Sequence, residues 1–157
     1  MNCKFDPSFN VPLQGLRQPG SALKPFAYLT AFAKGYLPET IVYDVPTEFA
    51  SGNPNCPSPP DFSNTNSECF HPENFEGTFR GPVPLRQGLA QSMNVVSVKT
   101  LYLAGFDDVL RTLKDFGITT LGERGRYGLS LVLGGGEVRL KELVGAYATL
   151  SQEGVRH

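Results

Sequence analysis

The sequence has no excess of charge of either sign and no long apolar run. Its 14 lysines and arginines nearly balance its 15 aspartates and glutamates, which gives a formal net charge of −1. Because a surface for nucleic acid shows as a basic excess, we expect no nucleic-acid partner. No stretch of about 18 consecutive apolar residues occurs, so the chain holds no candidate membrane span. Residues 1–7 also lack the apolar segment that a signal peptide needs.

The apolar content is nevertheless high enough for a folded core. Hydrophobic residues make up 40% and charged residues 18% of the 157 positions, a composition that argues against disorder of the whole chain. A chain of this length forms one domain or part of a larger one. Composition therefore indicates a compact protein and says nothing about its chemistry.

Prolines, asparagines and serines cluster in residues 51–69, which predicts a loop insertion at the surface. Cys56 and Cys69 stand near its two ends. In an oxidising compartment a disulfide between them would stabilise the fold by about 3 kcal/mol, whereas in a reducing one they would be free thiols. Together with His71 they also offer three zinc ligands, but no fourth ligand is apparent, so we expect no metal.

Turn signals and a three- to four-residue spacing of apolar side chains predict a mainly helical chain. The predicted helices run over Ala22 to Lys34, Pro84 to Ser92, Val96 to Ala104, Val109 to Phe116 and Val138 to Gln152. Ser21 is expected to cap the first of them, and Asp107 or Asp108 the fourth. Ile41 to Val45 is the best candidate for a short strand.

Ser21 and Lys24 form an S-x-x-K pattern at the start of the first predicted helix. At this spacing both side chains share one face of the helix. A serine hydroxyl is a weak nucleophile until a base takes its proton, and an amine whose pKa is lowered by burial can do so. The pattern alone is not specific, because a capping serine followed by a solvated lysine has the same letters.

An S-x-N pattern occurs twice. Ser51-Gly52-Asn53 lies in the proline-rich loop and is typical of a turn. Ser92-Met93-Asn94 lies between two predicted helices, where a short connection can direct both side chains into a cleft. The second match is therefore the candidate for chemistry.

The residues around both motifs resemble a known family. Ser21 stands in RQPGS-x-x-KP and Ser92 in LR-x-x-LA-x-S-x-N, and both patterns are similar to those of the transpeptidase domain of bifunctional (class A) penicillin-binding proteins, of the 1C type. Further landmarks of the resemblance are Phe9-Asn10, Asp44-Val45-Pro46, Pro72 to Gly77 and Gly128 to Gly135. Nearly the whole chain is covered except the loop between the two cysteines.

The resemblance implies a fold and a mechanism. The parent fold is α+β, and this chain would supply mainly its helical lobe, as a partial transpeptidase domain over residues 1–157. Ser21 would attack the D-Ala-D-Ala carbonyl of a peptidoglycan stem peptide, and Lys24 would be its base. Ser92 would relay a proton to the leaving amine, while Asn94 would hold the substrate and orient the lysine. A β-lactam would acylate the same serine.

The resemblance also implies surroundings for the chain. The chemistry requires no cofactor and no metal. The protein would work at the outer face of the bacterial cytoplasmic membrane, held there by a segment outside these residues. The partners would be stem peptides and, as covalent inhibitors, β-lactam antibiotics.

One family motif is missing. A K-T/S-G sequence should follow S-x-N at a distance, but Lys99-Thr100-Leu101 lacks the glycine and falls in a predicted helix. We therefore expect little activity from these residues alone. The alternatives are a β-lactam-binding sensor, a β-lactamase or D,D-carboxypeptidase relative, which would need a group that activates water, and a non-catalytic remnant.

Overall fold

The computed structural model describes residues 9–122 and 127–155, and residues 1–7, considered above for a signal peptide, lie outside these ranges. The α-helices are α1 (Val11–Gln14), α2 (Lys24–Ala33), α3 (Leu85–Ala90), α4 (Asn94–Ala104), α5 (Phe106–Asp115) and α6 (Leu140–Ser151). The 3-10 segments Gly20–Leu23 and Gly128–Leu133 also lie in the described part of the chain. Within the described ranges, none of the helices has the length and apolar character needed to cross a bilayer.

Within residues 9–122 and 127–155, four short strands form two separate antiparallel ribbons. The strands are β1 (Leu16–Arg17), β2 (Ile41–Asp44), β3 (Gly81–Pro84) and β4 (Val138–Arg139). β1 pairs with β4, and β2 pairs with β3 with Val42 opposite Val83. The fold is therefore predominantly helical, as the sequence predicts.

Helix α4 lies at the centre of the core. It contacts α2, α3, α5, β2 and the 3-10 segment Gly128–Leu133. Its buried residues cover nearly its whole circumference and include Ser97 and Thr100, whose hydroxyls donate to main-chain oxygens one turn earlier. A helix buried over most of its circumference is held in place by its neighbours, so its first residue, Asn94, is held in place as well.

All five predicted helices are present, with corrections at their starts. Ser21 does not cap the first helix: it lies in the 3-10 segment, and α2 begins at Lys24 without a side-chain cap. The capping role predicted for Asp107 or Asp108 is also wrong, because α5 already begins at Phe106 and both carboxylates lie in its first turn.

The last predicted helix starts later than expected, at Leu140. The two residues before it, Val138 and Arg139, instead pair with Leu16 and Arg17 as a ribbon. Sequence patterns gave no indication of α1, β1 or β3, since all three are short and β3 contains two prolines.

The insertion at residues 51–69 is irregular, as predicted, and Cys56 and Cys69 are joined in a disulfide with a Cα–Cα distance of 5.3 Å. Glu48 lies beneath the loop and is 5% exposed. Its carboxylate accepts hydrogen bonds from the main-chain N–H groups of Ala50 and Phe70, and it lies 2.7 Å from His71 Nδ1. Because the sulfurs are bonded to each other, they are not free to ligate zinc.

Candidate active site

The structure brings three of the four predicted site residues into direct contact. Lys24 is the first residue of α2, Ser92 lies in the turn after α3, and Asn94 is the first residue of α4. The Lys24 ammonium donates to the main-chain oxygen of Ser92 at 2.6 Å, to Ser92 Oγ at 3.1 Å and to Asn94 Oδ1 at 2.8 Å. The three donors of the side chain are thus all used, across 68 to 70 positions of sequence.

Ser21 lies one 3-10 turn before Lys24. The main-chain N–H of Lys24 donates to the Ser21 carbonyl oxygen, and side chains three apart in a 3-10 turn lie nearly above one another. Ser21 is exposed, and among the described residues its hydroxyl makes no hydrogen bond to Lys24. The nucleophile predicted from the sequence is therefore exposed and lies one turn before Lys24, whose amine donates to Ser92 and Asn94.

The turn that carries Ser21 is held on two sides. Gly20 has φ +58°, and Gly134 approaches it so closely that a Cβ on Gly134 would lie 2.3 Å from Gly20 Cα. On the other side the Tyr147 hydroxyl donates to the Ala22 carbonyl oxygen at 2.9 Å. The three consecutive glycines at 134–136 predict a turn, but their sequence gives no sign of this contact with the site.

Ser92 adopts φ +53°, a left-handed conformation that is uncommon for a residue with a side chain. The surrounding turn enforces it, because Ser92 N–H donates to the Leu89 oxygen and Met93 N–H donates to the Gly88 oxygen. In this conformation both the carbonyl and the hydroxyl of Ser92 reach the Lys24 amine. Strain of this kind, held by surrounding bonds, is common at functional sites.

Burial sets the electrostatics of the site. Lys24 is 1% exposed, and this desolvation lowers the pKa of its amine from 10.5 to about 8. At pH 7 about a tenth of such amines carry no proton, whereas an ordinary lysine is almost entirely protonated. Lys24 is therefore suited to accept a proton near neutral pH.

Asn74, which the motifs did not single out, accepts a hydrogen bond from the main chain of Asn94. Asn74 is 8% exposed, and its side-chain oxygen accepts a hydrogen bond from the main-chain N–H of Asn94 at 2.8 Å. It lies within the Pro72 to Gly77 landmark, but an asparagine in a proline- and glycine-containing loop is normally interpreted as a turn residue. Only its burial distinguishes it, and burial is not visible in the sequence.

Two cavities of the described residues have no lining residue in common. A cleft of about 110 Å³ adjoins Ser92 and is lined in part by Phe75, Arg80 and Gln91. A larger open cavity of about 800 Å³ runs along α6, where Phe116, Arg139 and Glu142 line it. The larger cavity contains none of the four predicted site residues, so size alone does not mark the chemical site.

The sequence relatives and the structural neighbours of this chain are both penicillin-binding proteins. No sequence-family model matches the chain. Penicillin-binding protein 1A of Rickettsia bellii is 35% identical over 152 residues, which are 97% of this chain and 17% of that protein. The crystal structure of penicillin-binding protein 1A from Haemophilus influenzae matches with a TM-score of 0.70 and 29% identity, over 90% of this chain and 19% of that one. PonA1 of Mycobacterium tuberculosis in complex with penicillin V matches in fold, with a TM-score of 0.72 at 21% identity over 96% of this chain and 39% of that one.

The match is nearly complete for this chain but partial for its relatives. The chain spans 17% of the length of the curated relative from Rickettsia bellii. That relative is a penicillin-binding protein 1A, so the narrower resemblance to the 1C type stays a prediction. By sequence and fold together, the chain belongs to the penicillin-binding proteins and corresponds to one segment of their length.

Proposed function

We propose that this chain carries the nucleophile and the base of a serine D,D-transpeptidase that cross-links peptidoglycan stem peptides. The observation that carries the proposal is the environment of Lys24. A lysine that is almost fully buried, has a lowered pKa and lies one turn after an exposed serine is a base placed next to a nucleophile. No salt bridge or carboxylate hydrogen bond to Lys24 occurs among the described residues, so nothing there stabilises its charged form by opposite charge.

The acylation step follows from these groups. Unprotonated Lys24 accepts the proton of the Ser21 hydroxyl, whose oxygen attacks the carbonyl carbon between the two terminal D-alanines. The resulting tetrahedral intermediate expels the last D-alanine as an amine, and that amine receives its proton through the Ser92 hydroxyl, which lies 3.1 Å from Lys24 Nζ. Ser21 is left as an ester of the penultimate D-alanine.

The second step regenerates the serine. The amino group of a neighbouring stem peptide attacks the ester carbonyl, the Ser21 oxygen leaves and takes back a proton, and a new amide joins the two stems. The side-chain oxygen of Asn94 accepts a hydrogen bond from the Lys24 amine, and Asn94 would orient both Lys24 and the peptide. This chemistry assigns a distinct role to each of the four predicted residues.

Similarity to the relatives supports a β-lactam as a ligand of the same site. One structural neighbour holds penicillin V, and the sequence relatives carry the name penicillin-binding protein. A β-lactam contains a strained amide that a serine opens to form an ester. Ser21 would therefore be acylated by penicillins, with no amine leaving the site.

The proposal concerns the natural protein. Within these 157 residues no K-T/S-G sequence follows Ser92, so the substrate-binding strand that this family motif occupies would come from elsewhere in the polypeptide. The Cys56–Cys69 disulfide supports an oxidising location such as the outer face of the cytoplasmic membrane. We expect the isolated chain to show little or no turnover.

The test is covalent labelling of the full natural protein with a fluorescent penicillin, followed by mass spectrometry of the labelled peptide. The label should reside on Ser21, and Ser21→Ala should abolish it. Ser51→Ala is the matched control, since Ser51 is an exposed serine in the proline-rich loop, and it should be labelled like the parent. Undiminished labelling of Ser21→Ala would overturn the proposal.

A further inference from the structure

Asn74 is a buried amide whose hydrogen-bonding groups are all used. Its side-chain nitrogen donates to both carboxylate oxygens of Asp44, at 2.9 and 3.0 Å, and to the Thr78 carbonyl oxygen at 3.0 Å. Its side-chain oxygen accepts from the main-chain N–H of Asn94. It thus joins the end of β2 to the first residue of α4.

Asp44 decides which way this amide points. The Asp44 carboxylate is fully buried, and besides Asn74 it accepts a hydrogen bond from the Arg80 main-chain N–H at 2.9 Å. Carboxylate oxygens accept hydrogen bonds, so the nitrogen of Asn74 faces Asp44 and its oxygen faces α4. The first N–H group of α4, that of Asn94, therefore donates to the side-chain oxygen of Asn74, whose position is fixed.

The segment that contains Asn74 also orients the side chain of Asn94. Its nitrogen donates to the Glu73 carbonyl oxygen at 2.7 Å, which leaves its oxygen facing Lys24 at 2.8 Å. Asn74 fixes the main chain of Asn94, and the residue before Asn74 fixes its side-chain orientation. The main-chain position of Asn94 and the orientation of its side-chain amide are thus both set by residues outside α4, and together they hold the Asn94 oxygen against Lys24.

We propose that Asp44 and Asn74 are positioning residues for the acylation reaction: the buried carboxylate orients the amide, the amide anchors Asn94, and Asn94 holds Lys24 in reach of Ser21. The inference rests on the proposed function and deepens it. Neither residue touches Lys24, so neither is a catalytic residue. Their effect is on the rate of acylation, and the initial binding of a β-lactam depends on them little.

The test uses the full natural protein and separates the acylation rate constant from the dissociation constant of the non-covalent β-lactam complex. Asn74→Asp places a second carboxylate against Asp44 while keeping an oxygen for the Asn94 N–H. We expect an acylation rate ~30-fold lower, with a dissociation constant within ~3-fold of the parent. Asn55→Asp, an exposed loop substitution of the same chemistry, is the matched control and should leave both constants unchanged.

Reversing the pair distinguishes positioning from simple damage. In the double variant Asp44→Asn with Asn74→Asp, the amide at 44 can donate to the carboxylate at 74, which still accepts from Asn94. The bond to the Thr78 oxygen is lost, so we expect partial recovery, to within ~5-fold of the parent rate. Recovery of the rate in the double variant is the result that a merely structural role would not give.

The experiments test the positioning role of Asp44 and Asn74 separately from the role of Ser21 as nucleophile. An unchanged acylation rate in Asn74→Asp, or a double variant no faster than the single one, overturns the positioning role and leaves Ser21 as nucleophile untouched. Labelling of Ser21→Ala overturns the proposed function instead. If Asn74→Asp does not fold, Asp44→Asn alone decides the matter: it keeps an acceptor for the Arg80 N–H, and a parental acylation rate in it overturns the inference.

Discussion

Gly134 and Gly20 lie in main-chain contact: a Cβ atom placed on Gly134 would stand 2.3 Å from both the Cα and the N of Gly20. Gly134 also has φ +90°, a conformation that side chains rarely adopt. Since the colliding atoms are backbone, no rotation of a side chain relieves the contact. The 3-10 segment that carries Ser21 is thus positioned by a residue 114 places later in the chain, by the numbering of the two glycines.

Gly134→Ala is expected to lower the free energy of unfolding by about 2–4 kcal/mol and to slow acylation of Ser21, because the turn must move away from Gly134. Thermal unfolding and β-lactam labelling measure the two effects. Gly145→Ala is the control: it lies within α6 with open space around it and should stabilise the protein by about 0.5–1 kcal/mol. Equal stability of the two variants would contradict the prediction.

The acylation rate should rise with pH and level off above pH 8. Burial lowers the pKa of Lys24 to about 8. In the proposed mechanism the unprotonated amine is the reactive form, so each pH unit below that value should reduce the rate about tenfold. Rate constants measured between pH 6 and 9.5 test this. Lys141→Arg, at an exposed position, should leave the profile unchanged. A rate that is constant over this range would exclude Lys24 as the base.

Removal of the Ser92 hydroxyl should impair the reaction much more than the fold. Ser92→Ala keeps the carbonyl that accepts from Lys24 at 2.6 Å but loses the hydroxyl that is proposed to relay the proton, so we expect acylation to slow ~100-fold. Ser51→Ala changes the other S-x-N match and should have less than a ~2-fold effect. Comparable rates for the two variants would show that the Ser92 hydroxyl relays no proton.

The disulfide should contribute to stability without contributing to chemistry. Replacement of Cys56 and Cys69 by serine removes a cross-link over 13 positions and should lower the free energy of unfolding by about 3 kcal/mol. Acylation at 20 °C should change by less than ~3-fold, because Glu48 still bonds to Ala50 and Phe70 beneath the loop. Denaturant unfolding gives the first quantity, with Cys3→Ser as the control, and a large loss of acylation in folded protein would contradict the second.

Local patterns were sufficient to predict the helices and to select the four candidate site residues, whereas features that depend on distant contacts were missed. The apolar periodicity of α2 and α4 is local, so it is visible in the sequence, and the letters around Ser21 and Ser92 carry the resemblance. Strand β3 was not predicted, since Pro82 and Pro84 disfavour a strand, yet it forms because β2 provides a partner along one edge. The pairing of Asp44 with Asn74 spans 30 positions, and no local pattern reveals it.

The predicted cap at Ser21 failed for a related reason. A serine before a helix normally bonds to the helix N–H groups, which is a local preference. Here Gly20 takes a positive φ and the chain enters a 3-10 turn under the contact from Gly134, so the hydroxyl is not used in this way. Tertiary packing overrides the local rule and leaves the serine exposed.

The bonds between Lys24 and the Ser92–Asn94 turn have a consequence for how the protein matures. Lys24 begins α2 and Asn94 begins α4, and the bodies of both helices lie in the core. In a chain whose α4 has not docked, Lys24 would be hydrated and protonated and would lack the acceptors of Ser92 and Asn94. The proposed reactivity therefore requires that α2 and α4 have docked, and incorporation of a β-lactam would report, molecule by molecule, that this contact has formed.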